Sequence, residues 1–163
     1  MNRSQIKTLV KDTLNGMGSK FANPKAIDLV YETGYVESRY EYIKQLGTGP
    51  ARSFWQVEPG MTGALDNVKN YLGFRPKLAA KCAEVTKTDI DYWVKGTEQD
   101  WDEILLVNIA SGIVHCRLKY WRSPLPLGSN AKENSKIWKT AYNTHLGSGT
   151  REKYIEMVSS LTS

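Results

Sequence analysis

Hydrophobic side chains recur along this chain with a helical period almost throughout. Between residues 4 and 16, Ile6, Leu9, Val10 and Leu14 fall three and four apart, which gives a helix with one apolar face. Asn23 before Pro24 marks a helix start, because the asparagine caps free amides and proline suits the first helical position. That helix is expected to run from about Pro24 to about Arg39. Further helices are expected near 62–72, 76–85, 88–95, 131–143 and 150–161. The longest apolar stretch, Trp101–Trp121, reads WDEILLVNIASGIVHCRLKYW. Its first half is hydrophobic nearly all round, which predicts a central buried helix. The tract SPLPLGSN ends it and reads as a loop. Strand signals are weak, with one short hairpin expected between 43 and 57. No repeat, low-complexity tract or linker divides the chain. Residues 1–163 are therefore expected to form a single, mainly α domain around a buried central helix.

One acid interrupts this pattern. Ile27, Val30 and Gly34 lie in one row of the second helix, and the next position in that row is Glu37. A carboxyl group on an inward face is desolvated, and desolvation favours its neutral form. A glutamic acid protonated near neutral pH is what glycosidic cleavage needs in its general acid. The same position at a helix end also lets the side chain turn to water, and periodicity does not choose between the two. The following loop, GTGPARSFWQVEP, sets Trp55 beside Gln56. A ring covers the apolar face of a sugar and an amide bonds its hydroxyl or N-acetyl groups. The alternative is a core tryptophan and a turn glutamine.

Composition narrows the field only a little. Hydrophobic residues make up 40% and charged residues 24%, as in ordinary globular chains. The net charge of +5 suits an anionic partner, but no block of five or six like charges suggests a nucleic-acid tail. No nucleic-acid partner is expected. Cys82 and Cys116 are too few for a disulfide framework or a zinc motif and read as buried thiols. His115 and His145 are the sole histidines, with no third ligand at metal spacing, so neither a metal nor a cofactor is expected. His115 reads as a core or groove-lining residue. Together with Asn108 and Ser111 it makes a polar stripe on the long apolar helix, a candidate cleft floor. No apolar run is long enough to be embedded in a membrane.

Several short segments, taken in order, resemble the lytic transglycosylases of the lysozyme-like superfamily. Glu37-Ser38 matches their catalytic glutamate and following serine, and Gln56-Val57-Glu58-Pro59 matches a Gln-x-x-Pro segment after a glycine-rich loop. Asn108, Gly112 and His115 fall on an Asn-x-x-x-Gly-x-x-Tyr-Leu helix, with His115 and Cys116 at the Tyr and Leu positions. Ala141-Tyr142-Asn143 matches an Ala-Tyr-Asn signature. The chain departs from the pattern at Ser53-Phe54-Trp55, where the family has Gly-Leu-Met. It departs again at Pro50-Ala51 in the loop and at His145, where a glycine is usual.

The resemblance implies a lysozyme-like domain that cleaves the β-1,4 bond between N-acetylmuramic acid and N-acetylglucosamine in peptidoglycan. Glu37 would act first as acid and then as base, closing a 1,6-anhydro ring. Ser38 would orient Glu37, Gln56 and Asn143 would bind N-acetyl or hydroxyl groups, Tyr142 would position the acid, and Trp55 would stack on a sugar. Asn108 would line the cleft floor. Glu58 opens an alternative, a hydrolase with two carboxyl groups flanking the bond, or is a structural acid bonded to loop amides or Arg52. A non-catalytic cell-wall-binding or virion structural protein is the competing class, and the retained Glu37 argues against it. The N-terminus carries no apolar signal-peptide core. A bacteriophage enzyme made in the cytoplasm is therefore expected. It would act as a monomer on the cell wall, reaching it with a holin-type partner or in the virion.

Overall fold

The computed structural model describes residues 1–60, 64–144 and 147–161, and these fold into a mainly α domain. Helix α1 (Arg3–Met17) starts under the Asn2 side chain, which accepts from the Gln5 amide, and buries Ile6, Val10 and Leu14 at a spacing of four. Helix α2 (Pro24–Ser38) starts as its sequence predicts, with Asn23 accepting from the Ala26 amide at 3.0 Å. It ends where Arg39 enters the left-handed region at φ 53° and returns its amide to the Tyr35 carbonyl. Helices α3 (Ala64–Gly73), α4 (Pro76–Thr86) and α5 (Ile90–Lys95) follow. Among the described residues, no helix is long and apolar enough to cross a membrane.

The long apolar stretch is not one helix. It breaks at Asn108 into α6 (Glu98–Val107) and α7 (Ile109–Trp121). Asn108 is extended there, at φ −124° and ψ 99°. Its Oδ1 accepts from the Ser111 amide at 2.9 Å, and its Nδ2 donates to the Thr86 carbonyl at 2.7 Å. One side chain thus starts α7 and satisfies a carbonyl at the end of α4. Asparagine competes for backbone partners in this way, and apolar patterning does not register it. The burial also falls on the other half. Helix α6 buries Trp101 and Leu105 but leaves Val107 exposed, whereas α7 buries every residue from Ser111 to Leu118. Helix α7 is the central helix, packed by α1, α2, α4 and α6.

Helix α8 (Ala131–Ile137) runs directly into a π-helical segment, Trp138–Asn143, and α9 (Arg151–Ser159) closes the fold against α2 and α8. The expected hairpin reduces to isolated bridges, Lys44 with Arg52 and Arg52 with Val57. The turn between them presses on α7 at Gly112. A Cβ added there would lie 2.6 Å from Ser53 Oγ and 3.0 Å from the Trp55 ring. The two cysteines, Cys82 and Cys116, are both buried.

Gly112→Ala separates two opposed effects. Helix propensity favours alanine by about 1 kcal/mol. The clash with Ser53 and Trp55 overpacks the core and costs about 1–3 kcal/mol. The expected net result is a lower urea midpoint, measured by circular dichroism.

Candidate functional site

The end of α2, the 45–58 loop, α7 and the π-helical segment converge on a cleft of about 610 Å³. Glu37, Gln56, Glu58, Tyr142 and Asn143 all line it. These residues come from distant parts of the sequence, and the elements between them fix their meeting.

Glu37 sits on the last turn of α2. Its Oε1 accepts a hydrogen bond from the indole Nε1 of Trp138 at 3.0 Å. Among the described residues no other hydrogen bond reaches this carboxyl, which leaves Oε2 to face a ligand. Burial pushes its pKa above the ordinary 4.5, against the Trp138 bond and the attraction of Lys119 and Lys153. Trp138 is buried and rests on Tyr154 at 5.4 Å between ring centroids, so the donor is fixed before any ligand arrives. Trp138 is absent from the sequence reading. Its signal is its place four residues before Tyr142, on the same stretch of helix.

Trp55 does not face the cleft. It is fully buried, and its Nε1 donates to the Val30 carbonyl on α2 at 2.8 Å. Its ring meets Tyr40 edge-on at 5.8 Å. Its own carbonyl accepts from the Tyr142 hydroxyl. The core reading of Trp55 therefore replaces the sugar-stacking one. Tyr142 likewise does not hold Glu37: its hydroxyl is committed to Trp55 and its ring stacks on Tyr120 at 5.4 Å. Ser38 is buried and outside the cleft lining. Its hydroxyl donates to the Gly34 carbonyl at 3.0 Å and accepts from the Tyr40 amide at 3.1 Å, which shapes the helix end and leaves Glu37 to Trp138. Asn108 also lies outside the lining, committed to the α4–α7 junction.

Gln56 does line the cleft, in the left-handed region at φ 49°, with Nε2 bonded to the Ser53 carbonyl at 2.9 Å. Among the described residues no hydrogen bond reaches its side-chain oxygen. Asn143 lines the opposite stretch, its Oδ1 accepting from Lys139 at 2.7 Å. Glu58 is exposed at the cleft, and Arg52 pairs with Asp102 instead, at 2.8 Å. His145 lies outside the described residues.

Helix α7 contributes what the sequence reading only partly saw. The polar stripe continues past His115 to Lys119 and Arg122, both on the cleft wall. Lys119 is half-buried and donates to the Tyr142 carbonyl at 3.0 Å. Burial lowers its pKa, while the attraction of Glu37 and Glu58 raises it. His115 is almost wholly buried among aromatic rings, 4.6 Å from Trp93 and 4.6 Å from Trp101 between centroids. Its Nε2 lies 3.3 Å from the Tyr92 hydroxyl, and burial drives its pKa down to about 3, with Arg122 adding to the effect. So weak a base cannot accept a proton usefully near neutral pH. Among the described residues, no group of three or more His, Cys, Asp and Glu side chains is placed to hold a metal ion.

Comparison of the chain with protein-family models, curated proteins and solved structures gave no match.

Two pH predictions follow from these burials, with opposite signs. Glu37 keeps its proton in the folded state where the unfolded chain releases it, so stability falls as pH rises past 4.5. Glu37→Gln, which keeps an acceptor for Trp138, should melt above the parent at neutral pH, with the gap closing below pH 4.5. His115 stays neutral where the unfolded chain takes up a proton, so stability is lost as pH falls from 6.5 towards about 3. His115→Phe should flatten that loss, measured as urea midpoints across the same range.

Proposed function

We propose that the protein is a peptidoglycan lytic transglycosylase, with Glu37 as its single acid and base. The observation that carries this reading is a desolvated carboxyl in an open cleft, held by the neutral donor Trp138. A charged donor in that place would favour the carboxylate strongly, whereas the neutral indole orients the acid and lowers its pKa less than burial raises it. The ordered likeness of Glu37-Ser38, Gln56 to Pro59, Gly112 and Ala141 to Asn143 to the lytic transglycosylases supports the same choice.

The chemistry then needs one carboxyl group. Protonated Glu37 gives its proton to the glycosidic oxygen as the bond from that oxygen to the muramoyl C1 breaks. The resulting carboxylate takes the proton from the muramoyl C6 hydroxyl, whose oxygen bonds to C1 and closes the 1,6-anhydro ring. Glu37 ends protonated, as it began. While it is ionised, the nearby Lys119 ammonium stabilises it. Gln56 and Asn143 line the same cleft and would bond N-acetyl or hydroxyl groups along the strand.

Glu58 supports a second reading. It lines the same cleft and is not consumed by Arg52. A water activated by Glu58 would turn the outcome to hydrolysis, as two-carboxylate glycosidases do. In either reading the substrate lies in the cell wall, and a bacteriophage enzyme delivered by a holin-type partner or in a virion fits that location.

Glu37→Gln should lower clearing of purified peptidoglycan by roughly 10²- to 10⁴-fold while the circular dichroism spectrum is kept. Clearing at the parent rate by the folded variant would rule out Glu37 as the acid. Mass spectrometry of the products should find 1,6-anhydromuramic ends. Reducing ends, together with a Glu58→Gln protein as inactive as Glu37→Gln, would establish the hydrolase instead.

A further inference from the structure

Two cations at the C-terminal end of α7, Lys119 in its last turn and Arg122 at its C-cap, face the cleft with donors to spare. Lys119 and Arg122 stand three residues apart, so they share one face of the helix. Both are half-buried, and burial lowers the pKa of each. Neither forms a salt bridge among the described residues. Lys119 spends one donor on the Tyr142 carbonyl. Arg122 spends its Nε on the Leu118 carbonyl at 3.2 Å, as an arginine at a helix C-terminus commonly does. Its terminal nitrogens, the fork that fits a carboxylate, have no acceptor among the described residues.

The two cations differ in how their charge is offset. Lys119 feels Glu37 and Glu58. Among the described residues, the group that offsets the charge of Arg122 is Tyr71, whose ring centre lies 6.0 Å from the guanidinium carbon. Two like charges on one partly desolvated helix face repel each other, and a bound anion would relieve that repulsion. The sugar hydroxyls and N-acetyl groups that the proposed reaction brings to Gln56 and Asn143 are neutral and would give these donors no counter-charge.

Resting on the transglycosylase reading, we propose that Arg122, assisted by Lys119, forms an anion subsite that takes a carboxylate of the glycan. The site then selects muramoyl strands over neutral polymers of N-acetylglucosamine. Peptidoglycan offers that carboxylate in two places: the lactyl group of a muramic residue without a stem peptide, and the free carboxylates of the stem peptide itself.

The test uses the Glu37→Gln protein, so that ligands are bound without turnover, and follows binding by tryptophan fluorescence. Its ligands are a tetrasaccharide of alternating N-acetylglucosamine and N-acetylmuramic acid, its lactyl methylamide, the same tetrasaccharide bearing stem peptides, and chitotetraose. A charge-assisted contact should make an acidic ligand bind roughly 10- to 100-fold tighter than the methylamide. Preference for the bare acid identifies the lactyl carboxylate, and preference for the peptide-bearing ligand identifies the stem. Arg122→Gln should bring that ratio close to one, Lys119→Met should reduce it, and Arg122→Lys should restore part of it. Each variant's thermal melt checks its fold. Equal affinity for the acid, the peptide-bearing form and the methylamide would overturn the subsite while leaving the transglycosylase reading standing. So would a ratio that survives in a folded Arg122→Gln protein. If no glycan binds and the parent cleaves no peptidoglycan, both fall together.

Discussion

The hydrogen bond from the Trp55 indole to the Val30 carbonyl organises the cleft. Trp55 belongs to a loop with almost no regular structure, and Val30 lies in the middle of α2. The bond fastens the loop to the helix that carries Glu37. The Trp55 carbonyl then receives the Tyr142 hydroxyl, which brings in the π-helical segment, and its ring closes on α7 at Gly112. Four elements remote in sequence thus meet at one buried side chain. Gln56, next to Trp55, and Glu58, three residues on, reach the cleft from a loop that Trp55 immobilises. A buried indole needs a partner for its N–H, and leaving it without one costs about 1–3 kcal/mol. That penalty makes the arrangement specific.

The electrostatics of the cleft follow from what each acid and base is paired with. Glu37 meets a neutral donor and loses solvent, which raises its pKa. Lys119 stands close enough to influence Glu37 and Glu58, but its hydrogen bond goes to a backbone carbonyl. A direct salt bridge would favour the carboxylate of Glu37 more strongly, whereas the more distant ammonium opposes the rise in its pKa without cancelling it.

Helix α7 combines a buried role with a polar one. Its polar residues divide by their partners. Asn108 and Ser111 bond to backbone at the helix start, and His115 is held neutral inside an aromatic box. Lys119, in the last turn, and Arg122, at the C-cap, are half-buried and reach the cleft where the helix ends. One stripe therefore changes from structural to ligand-facing along its length. His115 borders the cleft but is almost wholly buried, while the cations available to a ligand lie one turn further on.

The sequence alone determined the helical class, the starts of α1, α2 and α4, and the inward row that ends at Glu37. These depend on local rules: a capping asparagine, a proline at the first turn, and apolar residues at helical spacing act within a few residues of chain. It also marked Gln56 and Asn143 as candidates, and both line the cleft. The tertiary structure decided the rest. The division at Asn108 depends on the Thr86 carbonyl, which no local pattern places there. Trp55 is a core residue because Val30 and Tyr142 supply its partners, and Ser38 shapes a helix end because Tyr40 turns back over it. Trp138 became the partner of Glu37 only when the π-helical segment packed beside α2. A side chain's role is set by the group it finally meets, and pairings across a hundred residues are a property of the folded chain.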